Sequence, residues 1–182
     1  TENVVSEERM FRAEQLHYTA VVPLDKIPDY RTRENSPYVQ SPYLGTYYYL
    51  VNTDRPPVDN VLVRQALSYA LDRDKLTRTV LQDTAIAAYS ITPPDTLGYN
   101  PPKLFSYDPS KARDLLAEAG YPNGRDARTG EPLKIFIDVQ SQAISNTQMN
   151  WMDRIFSELG VQVEYRPADW NRTREKLLTG NT

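Results

Sequence analysis

The chain has no cysteine. That removes disulfides, thiolate nucleophiles and cysteine-based metal sites in one step, although it does not decide the redox compartment. Histidine occurs once, as His17, so imidazole cannot cluster around a metal ion. Glycine is scarce, with 7 residues in 182, too few to hide a phosphate-cradling loop, and no Gly-x-Ser-x-Gly elbow appears. No run of 18 apolar residues is present, which excludes a membrane-spanning helix of the usual kind. No charge of one sign dominates: the net charge is −3, with no long acidic or basic block, so a nucleic-acid surface is not indicated. No signal-type segment opens the chain at Thr1, which in a mature or excised chain says nothing about compartment.

What is abundant is proline, with 14 residues, and tyrosine, with 13. Phenols are amphipathic and suit surfaces and clefts, though a tyrosine-rich core edge fits the count equally well. A length of 182 residues suggests one domain, or a domain plus a piece of another, and is enough for a real core.

Along the chain, apolar spacing predicts a helix over Ser6–Tyr18, a short strand over Tyr18–Val22 stopped by Pro23, and one helical turn over Leu24–Tyr30 broken by Pro28. Tyr38–Asn52 reads as extended and Asp54–Asn60 as turn chemistry. Asp59 or Asn60 caps a helix whose Val63, Ala66, Leu67, Ala70 and Leu71 form one stripe. Asp72 caps a shorter helix over Arg73–Leu81. Ala85–Ser90 reads as a strand, and the proline-rich Thr92–Pro102 as a meandering loop. The clearest helix is Pro109–Ala119, with Asp108 as cap and Gly120 as stop. After a polar loop come a strand over Leu133–Val139, a helix over Ala143–Leu159, a strand over Val161–Tyr165, and a last helix from Asp169 to Leu178. Strands separated by helices pair in parallel with right-handed connections. The expected fold is therefore α/β, a mixed sheet flanked by helices.

Catalytic constellations are missing. Asp72 with Asp74, and Asp54 with Asp59, read as caps and turns. Glu7 and Glu8 read as a solvated helix start, and His17 as a surface or packed residue on the first helix. Nothing sets two carboxylates across a cleft for acid–base work. Arg64 sits at a helix N-terminal turn, where a cation opposes the dipole, so an ion-pair partner is expected for it. Trp151 lies off the apolar stripe of its helix, so partial exposure is expected. Tyr47, Tyr48 and Tyr49 are adjacent, so an extended backbone must send at least one phenol away from the core. Tyr43, Tyr48 and Trp170 are candidates to line a ligand cleft; alternatively the two tyrosines pack a sheet edge and Trp170 covers a helix start.

Several motifs occur in order: Pro42-Tyr43-Leu44, Thr46-Tyr47-Tyr48-Tyr49, Asn52, Pro56-Pro57, Val63-Arg64-Gln65-Ala66-Leu67 and Asp72-Arg73-Asp74. They continue with Thr92-Pro93-Pro94, Tyr107-Asp108-Pro109, the run from Leu115 to Tyr121, Leu159-Gly160-Val161 and Asp169-Trp170. With this set the chain resembles the oligopeptide-binding branch of the bacterial family-5 extracytoplasmic solute-binding proteins, which deliver substrate to ABC importers. The match runs from about residue 38 onward and is looser before it.

The resemblance implies a two-lobed, periplasmic-binding-protein type II-like fold closing on a peptide by a hinge. Residues 1–42 would be an edge fragment of the first lobe, and 43–182 an incomplete second lobe, truncated before its C-terminal part. The peptide would bind extended, by strand addition with water-tolerant pockets. Ligand-binding residues would be Tyr43, Tyr48 and Trp170, with Asn52 either joining them or holding the turn. No catalysis, cofactor or metal is implied. Partners would be a peptide and the permease subunits of an ABC importer, with no nucleic acid and no membrane span, and the protein would be a monomer. The location would be periplasmic or extracytoplasmic, with free and lipid-anchored parents both open. Relatives also carry dipeptides, nickel complexes, haem or sugars, and the Thr-Tyr-Tyr-Tyr segment favours oligopeptides among them. Family members anchor the peptide amino group with an Asp in a Trp-x-x-Asp segment expected soon after Gly180, and some carry a cysteine where Gly45 stands; neither is found in this chain. Two readings from other classes remain open: a carboxylate enzyme, and an interaction module whose tyrosine strand joins a partner's sheet.

Overall fold

Short polar side chains decide where the helices begin. In the computed structural model, which describes residues 3–41, 43–94, 96–140 and 146–180, five side chains accept the first free backbone N–H groups of a helix, beginning with Asn3, which takes the Ser6 N–H. Asn60, rather than Asp59, caps α3 (Val61–Ala70) through the Leu62 N–H. Asp72 caps the single turn α4 (Arg73–Lys75), which runs into a π-type turn, Leu76–Val80. Asp108 caps α5 (Pro109–Glu118), and Asp169 caps α7 (Trp170–Thr179). Between the last two lie β1 (Lys134–Gln140), α6 (Asn146–Ser157) and β2 (Gln162–Ala168). The start expected for α6, at Ala143, falls outside the described residues.

The two strands pair in parallel, from Lys134 against Gln162 to Gln140 against Ala168, so β1–α6–β2 is the crossover unit the sequence implied. The α/β class holds, with a sheet smaller than expected. Among the described residues only these two strands form it. Tyr18–Val22 and Ala85–Ser90 form no strand. Both are short apolar stretches with no ladder beside them, and isolated pairs of that length are not stable in water.

Strand alternation divides the sheet. Ile135, Ile137 and Val139 of β1, with Val163 and Tyr165 of β2, face inward. They join Val63, Ala66 and Ala70 of α3, Ala112 and Leu116 of α5, and Met152 and Phe156 of α6 in one apolar cluster. Alanines at three of the α3–α5 positions let those helices approach closely. Trp151 is half-buried at the edge of the cluster, as expected for a residue off the stripe. The other face of the sheet carries Lys134, Phe136 and Asp138 beside Gln162, Glu164 and Arg166. There Phe136 stays half exposed beneath the Arg166 guanidinium, 3.8 Å from its ring centroid.

The N-terminal part is built differently. Helix α1 spans Val4–Arg12, shorter than expected, because Glu14 turns the backbone left-handed at φ 60. His17 therefore lies beyond the helix, exposed in a bend. Pro28 opens helix α2 (Ile27–Thr32) instead of breaking a turn, since its missing N–H falls in the first turn where no partner is needed. Glu8, expected in solvent, is 2% exposed. Its Oε1 accepts from Arg12 Nε at 2.7 Å and from the Tyr30 hydroxyl at 2.9 Å, which is how a carboxylate tolerates burial. Glu7 is likewise engaged, accepting from the Thr19 hydroxyl at 2.6 Å.

One close approach locks the crossover to the rest. Gly124 and Gly160 meet backbone to backbone, both at positive φ, and a Cβ on either would strike the other's chain. Beside them Leu133 N–H bonds Gly124 O and Gln162 N–H bonds Leu133 O, so the contact aligns the starts of β1 and β2. Gly130 also has positive φ but faces open space. Gly130→Ala should cost only the left-handed penalty of about 1 kcal/mol, whereas Gly160→Ala should add a backbone clash and cost on the order of 3 kcal/mol. Urea unfolding of the two variants side by side checks the difference.

Candidate functional site

The tyrosine-rich segment is extended, as expected, but it is not a paired strand. Among the described residues, none from Thr46 to Val51 joins a backbone ladder. Side chains tether the segment instead. Before it, Gln40 Nε2 donates to Asp83 O at 2.8 Å, and Gln40 Oε1 accepts from Arg31 Nη2 at 2.7 Å. Within it, the Thr46 hydroxyl donates to Ile91 O at 2.8 Å and the Tyr49 hydroxyl donates to Met152 Sδ at 3.2 Å. At its end, Asn52 Nδ2 donates to Gly180 O at 3.0 Å. A run of backbone is thereby held extended outside any ladder among the described residues.

The alternation of the three tyrosines follows from this extended form. Tyr47 and Tyr49 share one side, their rings edge to face at 5.8 Å, and Tyr49 reaches the α6 surface. Tyr48 points the other way and is 58% exposed. Tyr43 is 88% exposed, its ring folded back over Gly45, where the absent side chain makes room. Trp170 opens α7 and is 56% exposed. The three candidate aromatics are thus open rather than sealed in the core. No ring contact joins them to one another among the described residues; those that form are Tyr47–Tyr49 and Tyr69–Phe105. Asn52 is half-buried and bound at both ends of its amide, since its Oδ1 also accepts the Asp54 N–H at 3.1 Å. Sequence spacing had no means of bringing Asn52 to Gly180, 128 residues away. Pro42, the first residue of the matched motif, lies outside the described residues.

Arg64 corrects an expectation. Its guanidinium donates to the carbonyls of Val58 and Asp59, both at 2.8 Å, and has no carboxylate partner among the described residues. The turn after Pro56-Pro57 leaves those carbonyls aimed at the first turn of α3, and a fork of donors satisfies both at once. The acidic pairs fill their structural roles: Asp72 caps α4, and Asp74 accepts from the Tyr89 hydroxyl at 2.7 Å. No group of His, Cys, Asp and Glu among the described residues could hold a metal ion. A cleft of 210 Å3 lies elsewhere, in the N-terminal part, lined by Glu8, Arg12, Lys26, Asp29, Tyr30 and Arg33.

Two phenols near this region are held in their neutral form. Burial, then the neighbouring Tyr47, raises Tyr49 well above the ordinary tyrosine value. Burial, then the bond to Asp74, pushes Tyr89 up to about 12.

Residues 3–182 match the bacterial extracellular solute-binding proteins, family 5 Middle. Over 82 residues the chain is 46% identical to the heme-binding protein A of Haemophilus influenzae, covering 44% of this chain and 15% of that protein. Over 115 residues it is 33% identical to the glutathione-binding protein GsiB of Escherichia coli K12, covering 63% of this chain and 22% of that protein. Among solved structures, the periplasmic oligopeptide-binding protein OppAIV of Borrelia burgdorferi superposes with a TM-score of 0.81 at 30% identity, over 100% of this chain and 35% of that one. The Escherichia coli murein tripeptide binding protein MppA gives 0.82 at 27% identity, over 97% and 35%. The chain thus spans a small part of its curated relatives and about a third of these structures. All four are named for binding, none for catalysis.

The raised phenols carry a pH consequence. A folded-state value above the unfolded one, near 10, means that folding favours the protonated ring. That stabilisation is complete below pH 10 and drains as pH climbs, for Tyr89 across the window from 10 to about 12. Urea unfolding should show wild type losing stability as pH rises from 10 towards 12, with Tyr49→Phe and Tyr89→Phe each losing less over the same interval.

Proposed function

Because the chain belongs to the bacterial extracellular solute-binding proteins, family 5, we propose that it forms one wall of a peptide site in a binding protein that feeds an ABC importer. Residues 43–182 are the larger part of one lobe. Residues 1–42, with their own buried Glu8–Arg12–Tyr30 cluster, are the edge of the other. Tyr43, Tyr48 and Trp170 touch the cargo, and Asn52 borders them. The protein transforms nothing; it holds its ligand and releases it to the permease, outside the cytoplasmic membrane.

One observation carries the choice of a peptide: the segment Thr46–Val51 is extended, bears exposed phenols, and keeps its backbone out of any ladder among the described residues. An extended peptide recognises such a backbone by adding a strand, with alternate side chains directed into neighbouring aromatic surface. Neutral phenols and an indole then offer broad contact area at low entropic cost, which suits a ligand of varied sequence. A single wall encloses little of a ligand, since good sites bury most of its surface. The chain alone is therefore a weak binder, and its full-length parent a strong one.

Calorimetry with a mixed set of short peptides tests this. The parent should bind and the isolated 182-residue chain should bind far more weakly. In the parent, Tyr48→Ala should weaken peptide binding by roughly tenfold, the equivalent of about 1.4 kcal/mol, with no loss of melting temperature. Haem and glutathione, the cargoes in its relatives' names, are titrated in parallel. Tight binding of either with no response to peptides would overturn the peptide reading. Unchanged peptide affinity in Tyr48→Ala would remove the phenol from the site.

A further inference from the structure

The chain repeatedly sets its own cations over its aromatic rings. Among the described residues, Arg73 and Lys103 lie over Tyr89 at 5.6 and 5.0 Å, Lys111 over Tyr69 at 4.4 Å and Arg166 over Phe136 at 3.8 Å. The face of an aromatic ring is electron-rich, so a cation is drawn to it and an anion is not. The candidate cargo rings take no part in these contacts. Tyr43, Tyr48 and Trp170 are all exposed, yet no cation of the chain covers any of them among the described residues.

The sequence around the two tyrosines explains why. A quarter of the chain is charged, but no charged residue occurs from Asn35 to Thr53, and the residues that bracket this stretch, Glu34 and Asp54, are acidic. One cation does reach it: Arg31 Nη2 donates to Gln40 Oε1 at 2.7 Å and to the Asp83 carbonyl at 3.4 Å, so two oxygens already engage it. Tyr47 and Tyr49 pack edge to face on each other, whereas Tyr43 and Tyr48 make no ring contact among the described residues. Trp170 is placed differently, because Arg172 and Arg174 share its helix and an approaching cation meets like charge there.

We propose that the cargo of this site is a peptide with a basic side chain, and that the rings of Tyr43 and Tyr48 receive its ammonium or guanidinium group. The proposal rests on the peptide reading above and narrows it to a substrate class. A lysine or arginine lays its apolar stem on the phenols and keeps its charged head partly in water, so it gains the ring without full desolvation. A neutral side chain packs on the same rings without the electrostatic gain. An acidic side chain meets the wrong face of the ring and finds no cation within the stretch to pair with, so losing its water is uncompensated. The net charge of −3 favours a basic ligand at longer range in the same sense.

Calorimetry on the full-length parent tests this with an alanine host peptide carrying one guest residue, moved through each position in turn. The guests are lysine, norleucine, glutamine and glutamate. At one position or more, lysine should bind roughly two- to fivefold tighter than norleucine, which has a similar stem and no charge. Glutamate should bind more weakly than glutamine at that position. Tyr48→Phe keeps a ring and should keep the lysine advantage. Tyr48→Leu and Tyr43→Leu should each reduce it, and the double variant should leave lysine and norleucine binding alike. None of these substitutions alters the net charge, so the loss reports the rings and not the long-range field. If the double variant does not fold, the two single variants decide. Equal binding of lysine and norleucine at every position, a preference for glutamate over glutamine, or an undiminished lysine advantage in the Leu variants overturns the basic cargo and leaves the peptide reading standing. Binding of no guest peptide at all overturns both.

Discussion

The larger part of the molecule depends on one apolar cluster, pressed between the inner face of β1–β2 and helices α3, α5 and α6. Two parallel strands alone could not persist in water. They persist here because Ile135, Val139 and Val161 lie against Leu116, Met152 and Phe156, all nearly inaccessible. Deleting one such side chain typically costs about 2–5 kcal/mol, a large share of the stability of an ordinary domain. The Gly124–Gly160 contact serves that cluster by fixing where both strands begin, so their inward residues stay in step.

Beyond the cluster, polar side chains do the positioning. Arg64 gathers the carbonyls of the turn before α3, Asn52 joins the tyrosine segment to α7, and Lys176 seats α7 on Asp138. The N-terminal part repeats this on a smaller scale, with Glu8 buried between Arg12 and Tyr30. Elements held this way have few apolar contacts, and such regions open at lower free energy than a core does. The aromatic edge belongs to this lightly fastened part and not to the cluster.

Much of this was legible in the amino acids. The caps Asn60, Asp72, Asp108 and Asp169, the stop at Gly120 and the parallel crossover follow from side-chain chemistry acting over three or four residues. Alternation along Tyr47, Tyr48 and Tyr49 foretold that Tyr48 would stand apart from its neighbours. The expectations that did not hold had a common cause. Tyr18–Val22 and Ala85–Ser90 have strand-like composition, but composition cannot supply a neighbouring strand. Glu8 looked solvated because the phenol that buries it lies 22 residues later, and Arg64 looked like half of an ion pair because turn carbonyls leave no trace in side-chain spacing.

The sequence by itself determined the family, the α/β class and the starts of the capped helices α3, α5 and α7, because those rest on short-range patterns: a cap, a stripe, an ordered set of motifs. Only the tertiary structure decided that the tyrosine segment stands outside the sheet, that Asn52 meets Gly180 across 128 residues and that Asp138 meets Lys176 across 38. Hydrogen bonds and ion pairs act over about 3 Å of space regardless of chain separation. Which groups come within that distance is settled by how the apolar cluster packs.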